Sequence, residues 1–191
     1  MKHYTGVGSR ETPPEILELM TKVARMLARG QWTLRTGGAV GADQAFELGW
    51  VHDLQNAGKA LAEIYLPWEG YEKHSRDMMF GCNILPCEEN PEKYLIAEEM
   101  AAAVHPNWGA CKQGARKLHT RNVYQVLGRN LKTPSKFLLA WTKLTKAGNP
   151  TGGTATAIRL AESYDIPCFN LAIPAHLARV QTWVQDGQHK E

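Results

Sequence analysis

No stretch of this sequence is apolar for long enough to span a bilayer, and the run from Met1 through Tyr4 to Gly6 lacks the apolar core of a signal peptide. A soluble cytoplasmic protein without a membrane partner is therefore expected. A disulfide scaffold is excluded as well, because Cys82, Cys87, Cys111 and Cys168 are few and scattered over 191 residues. Charge of one sign is nowhere concentrated. The net charge is +3, with Lys and Arg spread along the chain, which permits a phosphate-bearing ligand but does not argue for duplex nucleic acid. Internal repeats and low-complexity segments are also missing.

A hydrophobic content of 43% suffices for one substantial core, so residues 1–191 are read as a single domain. Short β-leaning runs alternate with helical patterns. His3 to Val7 reads as a strand closed by Gly8-Ser9-Arg10. A helix follows, with Thr12 as N-cap, Pro13 at the first helical position and Glu15 completing a capping box; Ile16, Met20, Val23 and Leu27 form its apolar stripe.

Trp32 to Arg35 is a second strand leading into a helix with a small-residue face of Ala42, Ala45 and Gly49. Ala62 to Leu66 is a third, and Glu69 to Asn90 reads as an excursion or lid. Asn90-Pro91 caps a helix that runs to about Val104, and another starts from Asn107 and ends before Gly128. Phe137 to Trp141 is a strand, Lys143 to Pro150 a flexible connection, Ile166 to Leu171 the last strand and Ala175 to Val184 a closing helix. This alternation predicts an α/β fold: a single Rossmann-like domain, its mostly parallel sheet covered by helices on both faces.

Three glycine-marked loops, Gly6 to Arg10, Gly37 to Asp43 and Gly152 to Thr156, each follow a predicted strand. They should share the rim where open parallel sheets bind ligands, with helix N-termini suited to phosphate. In the first, Glu11 stands where the dinucleotide fingerprint has its third glycine, so a conventional NAD site is not expected. Gly8, Ser9 and Arg10 offer backbone, hydroxyl and guanidinium to a phosphate. In the second, Gly37 and Gly38 admit close approach, while Asp43 either caps the next helix or accepts from a ribose. Gly152 and Gly153 with Thr154 form a third cradle. Arg121, Asn122 and Gln125 share a helix face fit to meet a phosphate and a base edge.

Cys82 and Cys87 together with His105, Cys111 and His119 offer soft ligands that zinc accepts, but the spacing is not that of paired CxxC motifs. The expectation is small half-buried thiols, no metal and no cofactor.

The run Thr36-Gly37-Gly38-Ala39-Val40-Gly41-Ala42-Asp43, the pair Arg121-Asn122, and Gly152-Gly153-Thr154 followed by Arg159-Leu160-Ala161 together resemble the SLOG superfamily. That superfamily includes DprA-type DNA-processing proteins, LOG phosphoribohydrolases and YspA-type proteins. The resemblance implies a Rossmann-like fold, a nucleotide or nucleic-acid ligand, and a homodimer or higher homo-oligomer. It also implies where chemistry should sit: the LOG glutamate that serves N-glycosidic cleavage falls on Ile158, which has no acid or base function. Asp43 and Glu47 remain as candidate catalytic carboxylates. Three functions follow as expectations. The first is binding of a phosphorylated nucleotide, for sensing or sequestration. The second is N-glycosidic hydrolysis or transfer, and the third is a DprA-like grip on single-stranded DNA, with Lys112, Arg116, Lys117, Arg121 and Arg129 beside Trp108 and Tyr124.

Overall fold

The structure is a computed structural model that describes residues 2–57, 61–74 and 82–188. In chain order its elements are β1 (Lys2–Gly8), α1 (Pro14–Arg29), β2 (Trp32–Thr36), α2 (Ala42–Ala57), β3 (Ala62–Tyr65), β4 (Asn83–Ile84), α3 (Pro86–Glu89), α4 (Pro91–Val104), α5 (Gln113–Leu127), β5 (Leu138–Trp141), α6 (Gly152–Ser163), β6 (Cys168–Asn170) and α7 (Pro174–Gln188). Single 3-10 turns occur at Tyr71–Lys73 and Trp108–Ala110.

The described strands form one six-stranded sheet in the order β4-β3-β2-β1-β5-β6, with every pairing parallel. Parallel neighbours require crossovers, and here they carry helices to both faces, as expected. Tyr4, Leu34 and Ile64 point to one side, where Ile16, Met20, Val23 and Leu27 of α1 meet Phe46 and Trp50 of α2. On the other side Leu138 and Ala140 pack with Val123 and Leu127 of α5 and with Ala157 and Ile158 of α6. Each large apolar side chain so buried contributes roughly 1.5–3 kcal/mol, which makes the two layers the main source of stability.

The structure departs from the local sequence pattern in four places. Helix α1 begins one residue later than its capping box requires: Pro13 is the N-cap and no side chain caps it. Thr12 instead donates its hydroxyl to the Ser9 carbonyl at 2.7 Å, an ST-type turn that competes with capping. The excursion at 69–90 contributes structure to the sheet itself, since β4 pairs with β3 through Ile64–Asn83 and Tyr65–Ile84; residues 75–81 of it lie outside the described residues. Helix α5 starts only at Gln113, after the 3-10 turn. The connection Lys143 to Pro150 closes on itself through a Leu144–Pro150 antiparallel bridge. The Asn90 cap is as read: its side chain accepts from Lys93 N–H at 2.8 Å.

Candidate functional site

The strand order reverses between β1 and β5, from which connections leave to opposite sides of the sheet; this is the switch point where open α/β sheets leave a crevice. A cavity of about 480 Å³ opens there. Gly8, Ser9, Arg10, Asp43, Arg121, Asn122, Gly152, Gly153 and Thr154 of the sequence-derived set line it, joined by Gln125 and Tyr71. Gly37 and Gly38 do not line it.

The first loop is held by close packing. A Cβ on Gly8 would sit 2.6 Å from the Ala42 Cβ and 3.0 Å from the Trp141 carbonyl, so only glycine lets β1, β5 and the start of α2 meet. Ser9 N–H donates to the Trp141 carbonyl, and Ser9 Oγ accepts from Glu11 N–H. Arg10 reaches across to the Tyr71 hydroxyl at 3.2 Å and to Glu72 at 2.7 Å. Glu11 and Lys143 pair at 2.6 Å over the rim, both well exposed and worth little energetically.

The second loop uses its glycines internally. Gly37 packs directly beneath the Arg121 guanidinium and the Gln125 amide, where any Cβ would overlap both, and its carbonyl accepts from Arg121. Gly38, at φ +69°, fits between Leu66 and His74. Gly37 shapes the site by positioning Arg121, a use that sequence spacing does not reveal.

At the third loop, Gly152 has φ +66°, and neither Gly152 nor Gly153 has anything within 4 Å of a notional Cβ. No side chain caps α6. Thr142 and Thr151 hydroxyls are engaged by the carbonyls of Thr151 and Lys143. The first turn of α6 therefore offers backbone N–H groups and open space, the ordinary means of holding an anion.

The floor of the cavity comes from α5. Asn122 donates to the Gly153 carbonyl at 2.9 Å, tying α5 to the third loop. Arg121 is 7% exposed, lies over the Tyr71 ring at 5.7 Å, and its Nε has no partner. Gln125 is 1% exposed, and neither its amide oxygen nor its nitrogen has one. A buried unpaired amide costs about 1–3 kcal/mol per group, so Gln125, unpaired at both ends, is the most costly polar side chain of this wall.

Asp43 sits 3.7 Å from Arg121 and accepts from Ala39 N–H. Its carboxyl is nevertheless pushed up to about 6, because burial outweighs the nearby guanidinium and Glu47 adds repulsion. Glu47 lies one turn behind, off the cavity, and binds His74 at 3.0 Å; that contact raises the His74 imidazole above its ordinary value. The Glu47–His74 pair was not legible from sequence, since 27 residues separate the partners. Thr142 and Lys143 were also missed, although their place directly after β5, beside β1, is a signal that the topology would have supplied.

Ile158 and Ala155 are 4% and 2% exposed, with Ile158 in the core beneath the sheet. Three of the basic residues on and just after α5 are already engaged. Arg116 donates to the Cys111 carbonyl, Arg121 is buried, Arg129 pairs with Glu89, and Tyr124 packs inside on Tyr65.

Among solved structures the chain is similar to DNA processing protein A from Helicobacter pylori, described for its single-stranded DNA binding mode, at 12% identity and a TM-score of 0.48 over 99% of this chain and 81% of that one. No protein-family profile matches the sequence, and no curated protein does.

A larger cavity of about 620 Å³ lies on the α5 side of β2 and β3, near the end of α5. Four of its charged groups already pair with one another: Arg35 with Glu63 and Arg129 with Glu89. It offers a ligand less unpaired polarity than the switch-point crevice.

Proposed function

We propose that the protein binds a phosphorylated nucleotide or a nucleotide-derived signal in the switch-point crevice. The reading rests above all on Gln125, whose buried, unpaired amide faces the same cavity as the uncapped start of α6. An anion at α6 and a hydrogen-bonding edge at Gln125 would complete both, and a nucleotide carries the two on one molecule. The volume is in the range of about 300–1,000 Å³ usual for small-molecule sites. Asn122, Arg121 and Arg10 supply further donors.

A panel of adenine nucleotides, ADP-ribose compounds and cyclic dinucleotides should raise the melting temperature, by about 2.7 kcal/mol of stabilisation at a hundred times the dissociation constant. In Gln125→Leu that shift should shrink, while the unliganded protein is as stable as wild type or more so, because an unsatisfied group has been removed. A panel without effect, with salt-steep oligonucleotide binding in its place, would turn the assignment to single-stranded DNA.

A second reading draws on Asp43, which lines the cavity with a carboxyl near 6, a suitable value for a general acid at an N-glycosidic bond. Chromatography of the same incubations for free base decides it, with Asp43→Asn as the control.

A further inference from the structure

Between α4 and α5 the chain doubles back at His105-Pro106, turns through Trp108–Ala110 and enters α5, two turns of which lead to His119. This fold-back gathers three side chains, none of which lines the crevice. Cys111 Sγ lies 3.7 Å from His105 Nε2 and 3.8 Å from Nδ1, and the His105 and His119 rings are 4.4 Å apart. One ligand atom from each of the three lies within 4.8 Å of the others.

We propose that His105, Cys111 and His119 form a binding site for a borderline-soft divalent metal, zinc by donor type. With Zn–S near 2.3 Å and Zn–N near 2.0 Å, a tetrahedral ion needs its sulfur and nitrogen ligands about 3.5 Å apart. The sulfur-to-imidazole spacing is within a few tenths of that already. Two nitrogens and one thiolate are a donor set that zinc accepts, with water in the fourth position.

The surroundings supply the second tier of contacts that metal-bound imidazoles have. His119 Nδ1 is 2.9 Å from the Thr156 hydroxyl on α6, which leaves Nε2 to the metal. His119 is 8% exposed, so its ring is held in place by the packing around it. Trp108 closes one side, 5.9 Å from the His105 ring and 6.2 Å from His119, and Arg116 fixes the Cys111 carbonyl while stacking on Trp108. His105 gives up one bond on binding: its lone pair now accepts from Asn107 N–H at 3.2 Å and would pass to the metal. Cys82 and Cys87, the closest-spaced cysteines, belong to the β4–α3 edge and take no part. The site would fasten the α4–α5 turn to α5, independently of what the crevice binds.

The full chain, stripped with a chelator and titrated with Co²⁺ in place of Zn²⁺, tests this. Expected are one equivalent bound, the intense visible bands of tetrahedral cobalt, and a thiolate-to-cobalt charge-transfer band in the near ultraviolet, with release of about one thiol proton per metal. Cys111→Ser should abolish the charge-transfer band, and Thr156→Val should weaken metal binding by about 10- to 100-fold through loss of ring orientation. Metal-free circular dichroism of each variant, unchanged from wild type, shows that folding is intact; should Cys111→Ser unfold, His105→Ala replaces it. An absent band at stoichiometric cobalt, a charge-transfer band that persists in a folded Cys111→Ser chain, or cobalt binding by a folded His105→Ala chain as tight as by wild type overturns the proposal.

Discussion

Asp43 faces a guanidinium and still holds its proton to about pH 6, because the carbon and backbone around it remove more hydration than Arg121 returns. A carboxyl raised above its unfolded value of 3.8 keeps a proton in the native state that the unfolded chain has released, so its contribution to stability is full below about 4 and is lost as pH rises to about 6. That loss is on the order of 3 kcal/mol. His74, raised by Glu47, acts in the same direction higher up: its contribution is present below 6.5 and disappears as pH climbs through its folded value. His119, lowered to about 4, opposes both by losing stability as pH falls below 6.5. The signature is therefore a difference. In urea denaturation, Asp43→Asn should gain on wild type between pH 4 and 6 by a few kcal/mol and hold a constant offset above 7. Glu47→Gln should flatten the segment around and above 6.5. A constant offset across the whole range for Asp43→Asn would show that its carboxyl titrates normally.

Two helices carry glycines that look alike in sequence but have opposite physical roles. In α2, a Cβ on Gly49 would come 2.3 Å from the Thr21 carbonyl and 2.7 Å from the Ala24 Cβ, so this glycine sets the contact distance between α1 and α2. In α6, Gly153 would meet nothing within 4 Å. Alanine improves helix propensity by about 1 kcal/mol at an interior site. At Gly49 the overpacking cost of about 1–3 kcal/mol exceeds that gain, and Gly49→Ala should lower the urea midpoint with an unchanged slope. Gly153→Ala should leave the midpoint equal or higher and reduce the nucleotide-induced shift, since the added methyl takes space beside the first turn of α6. Equal loss of stability in both variants would contradict the packing argument.

Across the whole molecule, stability and the candidate site are set at different places. Arg35, only 2% exposed within β2, donates to Glu63 at 2.7 Å and to the Thr133 carbonyl, and lies against Gly128, where a Cβ would be 2.3 Å from its guanidinium. It ties the sheet to the turn after α5, on the side away from the crevice. Breaking a buried pair by removing one partner costs about 3–5 kcal/mol, and the partial exposure of Glu63 favours the lower figure. Arg35→Ala should therefore melt well below wild type yet bind the same ligand with the same affinity at a temperature where it is folded, as read by calorimetry.

Much of this architecture was open to reading in the chain alone. Strand and helix alternation follows from local hydrophobic period, and a glycine loop after a strand must sit at the carboxyl rim of a parallel sheet, so the fold class and most residues around the crevice were accessible. Asn90 capped as expected because capping is a three-residue matter. What sequence could not supply was contact between distant residues. Gly37 serves Arg121 across 84 positions, Glu47 meets His74 across 27, and β4 joins the sheet with too few residues to show a period. His105, Cys111 and His119 carry no recognisable spacing because a fold-back and a helix face, not a motif, bring them together. Local propensity and periodicity determined the elements; the tertiary structure alone decided which polar groups lost water together, and burial is what shifts Asp43 and leaves Gln125 unpaired.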